Sequence, residues 1–353
     1  MRCAVNPTTT LPGSDLRRCG GFSFIELTVV MTLLTIMVYA VTTLSVSGAQ
    51  AQEYARRLTR VSEVTQTTID DLRMELVSCV RIFGSDGEGT ANLSYFDISG
   101  GPAPLASSRL PAVTVSGSLQ KDSSGNEITG NSIFFAKLAW SDRFTTAKGN
   151  TYLVDVLRWT YEYLSIEGDG PDPESPIGLN LVRAVSEPLV DAASIDRITD
   201  SDDQREVLLH LANGTADDLG TSHDPCQVVW SRGDMPDVEG TFRQINEADG
   251  TLSTAPLIGR PDPWVILTSS TPRGLLSYRH HSVATNFARG SFGVGRYGLR
   301  DDTGEGFPHG FEVQVVGPSA ARQILLHLSC SSTNTRGQWA GSSNEVIVDA
   351  RDM

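Results

Sequence analysis

The chain has 353 residues, 42 of them acidic against 28 Lys and Arg, and a formal charge of −14 at pH 7. An acidic excess of this size speaks against nucleic acid as a partner, because phosphate binding rests on Lys and Arg. The length leaves room for a folded domain with a substantial core besides any targeting or anchoring segment.

Gly20-Gly21-Phe22-Ser23-Phe24-Ile25-Glu26-Leu27 opens an apolar run that continues to about Val46, and Glu26 is the only charge between Phe22 and Val46. At about 1.5 Å per residue these residues make a helix of roughly 37 Å, enough to cross a bilayer. Arg17 and Arg18 precede the run and no basic cluster immediately follows it. The positive-inside rule then leaves the N-terminus in the cytoplasm and everything beyond Ser47 outside. A carboxylate in such a segment is costly unless it is paired or lies in a protein-lined site, so Glu26 requires a partner.

These residues resemble the prepilin cleavage and methylation signature of type IV pilins and type II secretion pseudopilins: a Gly, then Phe, then Thr-Leu-Ile-Glu-Leu or a close variant. Ser23 and Phe24 stand here for the commoner Thr and Leu, and the 21-residue leader is longer than most. The resemblance implies cleavage after Gly21 by the prepilin peptidase, methylation of the new amino terminus on Phe22, and a mature chain whose fifth residue is Glu26. The chemistry agrees: Gly21 offers no side chain to hinder a protease, and Glu26 can neutralise the Phe22 amine of a neighbouring subunit, removing two unpaired charges. Loss of the leader, with Arg2, Arg17, Arg18 and Asp15, takes the formal charge from −14 to −16.

Two plainer readings stand beside this one. In an ordinary secretory signal peptide, Arg17 and Arg18 form the basic region and Ala49-Gln50-Ala51 the small-residue cleavage site, but the apolar stretch exceeds the usual h-region of about 7–15 residues. In a simple transmembrane anchor the length is right. Both leave Glu26 unexplained.

Past the run, neither Pro nor Gly interrupts the chain between Gly48 and Gly84. Apolar or small residues recur at Tyr54, Leu58, Val61, Thr65, Thr68, Leu72, Leu76, Cys79 and Phe83 with helical spacing. Glu53, Arg56, Arg57, Arg60, Glu63, Asp70, Arg73 and Glu75 take the opposite side. The spacing predicts an amphipathic helix that lays its stripe on a folded domain and ends at Gly84, where Ser85-Asp86-Gly87-Glu88-Gly89 opens a loop. The segments expected are therefore a leader over 1–21, a transmembrane helix half over 22–46, an amphipathic extracytoplasmic half over 47–83 and a β-rich globular domain over 84–353. The absence of Pro from the helix fits a minor subunit better than a main-filament pilin.

In the last of these segments Leu157, Trp159, Tyr161 and Tyr163 alternate with Arg158, Thr160 and Glu162, which predicts a half-buried strand followed by a loop over 167–176. Residues 180–186 and 188–198 read as a further strand pair. Phe311, Val313 and Val315 alternate, and then Ile324, Leu326, Leu328 and Cys330 face one way with Gln323, Leu325 and His327 the other. A last strand covers 345–350. The expected class is α+β and pilin-like, a long N-terminal helix packed on a β-rich domain. The order of elements, with Leu181-Val182-Arg183 and Pro188-Leu189-Val190 after an acidic loop, is similar to the J-type minor pseudopilins of type II secretion and the W-type minor pilins. K-type pseudopilins lack the acid that Glu26 supplies.

Cys3 and Cys19 fall in the leader; Cys79, Cys226 and Cys330 are expected to face an oxidising compartment, where two of the three can form one disulfide. A Cys79–Cys330 bond fits a helix stripe meeting an apolar strand face, and buried free thiols are the alternative. No CxxC marks a zinc or redox site. Gly293-Val294-Gly295-Arg296-Tyr297-Gly298 satisfies GxGxxG without a clear strand before it or helix after it, so it reads as a loop. Asp169, Asp172 and Glu174, or Asp200, Asp202 and Asp203, offer hard oxygen ligands for calcium but lack the spacing and Gly of a loop site. His280 and His281 come without a zinc-ligand spacing, and no G-x-S-x-G elbow is present.

The expected function is therefore non-enzymatic: a minor pseudopilin or pilin, single-pass in the inner membrane with its C-terminal domain periplasmic, needing no cofactor. Its implied partners are the prepilin peptidase, other pilins or pseudopilins and an inner-membrane assembly platform, in a filament serving protein secretion. The alternatives are a minor pilin of type IV pilus biogenesis or adhesion, and a surface-binding or enzymatic domain that borrows a pilin anchor.

Overall fold

The computed structural model describes residues 23–105, 108–115, 129–166, 179–234, 236, 238–254, 264–268, 282–283, 310–333 and 339–350. The elements in chain order are α1 (Phe24–Val77), β1 (Cys79–Phe83), α2 (Gly87–Tyr95), β2 (Val113–Thr114), β3 (Ser132–Thr145), β4 (Thr151–Ile166), β5 (Leu179–Val185), β6 (Leu189–Asp191), α3 (Ala192–Asp196) and α4 (Ser201–Ala212). Then follow β7 (Val228–Trp230), β8 (Phe242–Ile245), β9 (Leu252–Thr254), β10 (Val265–Ile266), β11 (Ser282–Val283), β12 (Phe311–Val316), a 3₁₀ turn (Ser319–Ala321), β13 (Arg322–Thr333) and β14 (Trp339–Ala350). The chain divides into two compact units, Met1–Ala55 and Arg56–Met353, and α1 contributes to both.

In the first unit the described chain is helix from Phe24, and its large apolar side chains are exposed, from Phe24, Ile25 and Leu27 to Leu44 and Val46. An 18-residue window of α1 has a mean hydropathy of 2.2, and the helix is long and apolar enough to cross a membrane. The hydroxyls of Thr28, Thr32, Thr35 and Thr43 donate to the carbonyls of Phe24, Thr28, Met31 and Tyr39, four residues back, at 2.7–2.8 Å. These hydroxyls are thereby satisfied within the helix, as an apolar medium demands.

The second unit is α+β. Its mixed sheet runs β2-β12-β13-β11-β5-β4-β6-β7-β8-β9, with β3 attached to β4, β1 to β3, β10 to β5 and β14 to β13. The β2–β12 and β6–β7 pairs are parallel. Two cores follow from the period-two alternation of the central strands, and a third lies toward the β3–β4 turn. On one face Val61, Ile69, Leu72 and Leu76 of α1 pack on Phe135, Leu164, Leu181, Phe311, Val313, Leu326 and Leu328, each full burial of such a side chain contributing roughly 1.5–3 kcal/mol. Phe134, next to Phe135, points the other way into an aromatic cluster with Phe83, Phe96, Trp159, Tyr161, Tyr163, Trp230 and Phe242. Trp159 sits at its centre, edge-on to Phe134 at 5.2 Å and to Trp230 at 5.2 Å. The third core gathers Phe144, Val154, Val156 and Val190 under Val207, Leu208 and Leu211 of α4.

Several expectations are corrected. The helix ends at Val77 rather than at Gly84, with the Ser78 N–H bonded to the Glu75 carbonyl, and Cys79–Phe83 pairs antiparallel with β3. Cys79 and Phe83 are four residues apart, a spacing that suits a helix face and a strand face equally, while Val80 and Ile82 favour the strand. A bulge between Cys79 and Arg81 then turns Cys79 and Ile82 toward the α1 core and Val80 and Phe83 toward the aromatic one. The expected loop after Gly84 holds α2, whose first turn is capped by the Asp86 carboxylate accepting from the Gly89 N–H at 2.8 Å. Over residues 159–165, β4 is buried on both faces, Thr160 and Glu162 included. Residues 188–198 form β6 and then α3, and β5 and β6 each pair with β4, not with one another. The alternation read in β12 and β13 holds, with Phe311, Val313, Val315, Ile324, Leu326, Leu328 and Cys330 all buried, but His327 on the supposed polar side is buried too.

Candidate assembly site

The first turn of α1 is closed by a reciprocal pair of bonds. The Glu26 N–H donates to Ser23 Oγ at 3.2 Å, and Glu26 Oε2 accepts from the Ser23 N–H at 2.9 Å. This is a capping box, in which two backbone donors with no partner inside the helix are satisfied by side chains. The S-x-x-E spacing that encodes it stands in the sequence, and reading Glu26 only as a charge overlooked it. Glu26 also lies at the positive end of the helix dipole, where a carboxylate is favoured. Both residues are exposed, Oε1 of Glu26 bonds nothing among the described residues, and the apolar surface begins beside them with Phe24 and Ile25. The arrangement can offer one carboxylate oxygen to an external donor while the other keeps the helix start ordered. Gly21 and Phe22, the expected processing residues, lie outside the described residues.

The other candidates disperse. Cys79 and Cys330 enter the same core beneath α1, but Cys79 stands on β1 and not on the helix stripe expected of it, and Cys79, Cys226 and Cys330 are free thiols. Burial pushes the Cys330 thiol up to about 12, and burial followed by the charge of Asp142 does the same for Cys226. The Asp200-Asp202-Asp203 run, weighed as a calcium site, begins a helix. Asp200 Oδ1 accepts from the Asp202 and Asp203 N–H groups and takes Lys148 Nζ at 2.6 Å. Asp203 accepts from Asn150 at 2.7 Å and from Tyr152 at 2.8 Å. The carboxylates are engaged by these donors, and no group of three metal-ligating side chains occurs among the described residues. Asp169, Asp172 and Glu174, Gly293 to Gly298, and His280 and His281 lie outside the described residues.

A polar cluster that the sequence did not announce lies where α1 ends. Glu75 Oε2 is bonded by Lys137 of β3, and Glu75 Oε1 lies 3.6 Å from Arg183 Nη1 of β5. Arg183 Nε donates to Oε1 of Glu162 on β4 at 2.7 Å, and Glu162 is fully buried. Four charges thus join the last turn of the helix to three adjacent strands.

No protein-family model, no curated protein and no solved structure matches this chain.

Proposed function

We propose that this protein is a membrane-anchored, non-enzymatic minor subunit of a pilus-like filament, of the pseudopilin or minor-pilin kind. The observation that carries the reading is the placement of Glu26, the sole acid of a membrane-length apolar run, in the first turn of a helix whose apolar side chains are exposed. An exposed apolar surface of this length is covered by lipid or by other apolar helices. In this reading the Phe22–Val46 helix packs among neighbouring helices, Glu26 pairs through its free oxygen with the terminal amine of an adjacent subunit, and the second unit faces the periplasm. The absence of Pro from α1 favours a minor subunit, and the departures at Ser23 and Phe24 preserve size and polarity.

The continuity of α1 through Ala49-Gln50-Ala51 supports this reading over the signal-peptide alternative, since a peptidase needs extended chain at its cleavage site. The test is the intact mass and N-terminal sequence of the membrane-extracted protein. A start at methylated Phe22 is expected. A start at Gln52, or an unprocessed chain in a host with active prepilin peptidase, overturns the proposal.

A further inference from the structure

The Glu75–Lys137–Arg183–Glu162 cluster places one guanidinium between two carboxylates on different elements. Arg183 Nε is 2.7 Å from Glu162, and its Nη1 is 3.6 Å from Glu75, too far for a hydrogen bond. The two ends have spare capacity: Arg183 Nη2 and Glu162 Oε2 are buried without a hydrogen-bond partner. The charged groups facing the cluster are Asp71 and Glu75 from α1, Lys137 from β3, Glu162 from β4 and Arg183 itself from β5. Glu75 keeps Lys137 on its other oxygen, so Arg183 is the variable member.

We propose that Arg183 is a proton-controlled clamp: ionised Glu162 draws it toward β4, and protonated Glu162 releases it to Glu75, tightening the end of α1 on the sheet. The step moves one proton from solvent onto a Glu162 oxygen and breaks no covalent bond. A neutral acid gives up the charge-assisted part of its bond to Arg183, and the Oε1 of Glu75, 3.6 Å from Nη1, is the second carboxylate oxygen within reach of the guanidinium. Burial, the largest influence on Glu162, pushes its carboxyl above the usual range against the opposing pull of Arg183. The proton is thus accepted at milder acidity than an exposed carboxylate requires. The clamp tightens on acidification, the reverse of an ordinary surface ion pair.

The experiment is amide hydrogen exchange over residues 65–77 in the detergent-solubilised full chain at pH 7.5 and 5.5, corrected for intrinsic rates. Protection of the last turns of α1 is expected to rise about threefold at the lower pH, the scale of a partly exposed ion pair. Glu162→Gln, which mimics the protonated acid, should show the raised protection at both pH values, and Glu75→Gln should abolish the rise. Unchanged protection in the wild type overturns the clamp, as does a rise that persists in either variant. If Glu162→Gln does not fold, the wild type and Glu75→Gln decide the matter.

Discussion

Ser23 and Glu26 each satisfy the other's backbone N–H at the start of α1. Glu26 therefore has two separable tasks, one as a hydrogen-bond acceptor within its own chain and one as a negative charge. Substitution can part them. Gln at position 26 can keep the capping box, since Glu and Gln serve alike there, but loses the charge; Ala loses both.

If Glu26 pairs with a subunit amine, Glu26→Gln and Glu26→Ala should both leave cleavage after Gly21 intact and reduce co-purification with partner subunits. If its task is only to start the helix, Glu26→Gln should behave as wild type. Gly21→Phe should block cleavage altogether, read as an intact mass that retains the leader.

The aromatic core predicts a steep loss of stability at its centre. Trp159 is fully buried and in edge-on contact with Phe83, Phe96, Phe134, Trp230 and Phe242. Trp159→Ala should cost about 3–5 kcal/mol, measured as a lowered midpoint of denaturant unfolding. Leu153→Ala, at an exposed position of the same strand, should change stability by less than about 0.5 kcal/mol.

The three thiols should be silent in the folded state. With Cys226 and Cys330 pushed up to about 12, little thiolate forms on either at pH 8, and burial keeps Cys79 from the reagent. Alkylation at pH 8 should modify none of Cys79, Cys226 and Cys330 until denaturant is added. Mass spectrometry of the unfolded chain should then find all three modified without a reductant.

Asp203 predicts part of the acid response. The donors Asn150 and Tyr152 hold its carboxyl below the usual range against the opposing effect of burial. A lowered folded-state value means that its contribution is present above the unfolded value of about 3.9 and is lost as pH falls below it. Asp203→Asn should therefore flatten the acid limb of the stability curve below about pH 4, measured as the unfolding midpoint against pH.

What the sequence disclosed follows from where its patterns were unambiguous. The apolar half of α1 was legible from the length of its uncharged run, and β12 and β13 from a period of two that Leu325 alone interrupts among the larger apolar residues of 323–330. The end of α1 was not, because Cys79 and Phe83 satisfy two periods at once. Asp200, Asp202 and Asp203 drew attention as oxygen ligands although Asp followed by two acids is also a helix start, and there the cap prevailed. Glu162 looked like a solvent-facing residue of a half-buried strand; its partners Arg183, Lys137 and Glu75 are distant in sequence, so only the folded chain reveals why a charge can be buried there. At the candidate site the charge of Glu26 was legible and its bond to Ser23, equally present in the spacing, went unread.

The hairpin of β3 and β4 furnishes walls to three cores: Phe135 and Leu164 to the first, Phe134 and Trp159 to the second, Phe144 and Val154 to the third. A chain truncated within residues 132–166 would strip all three at one stroke, leaving no smaller remnant able to stand alone. The second unit should therefore melt in a single step, and proteolytic trimming should yield either the whole of it or scattered peptides.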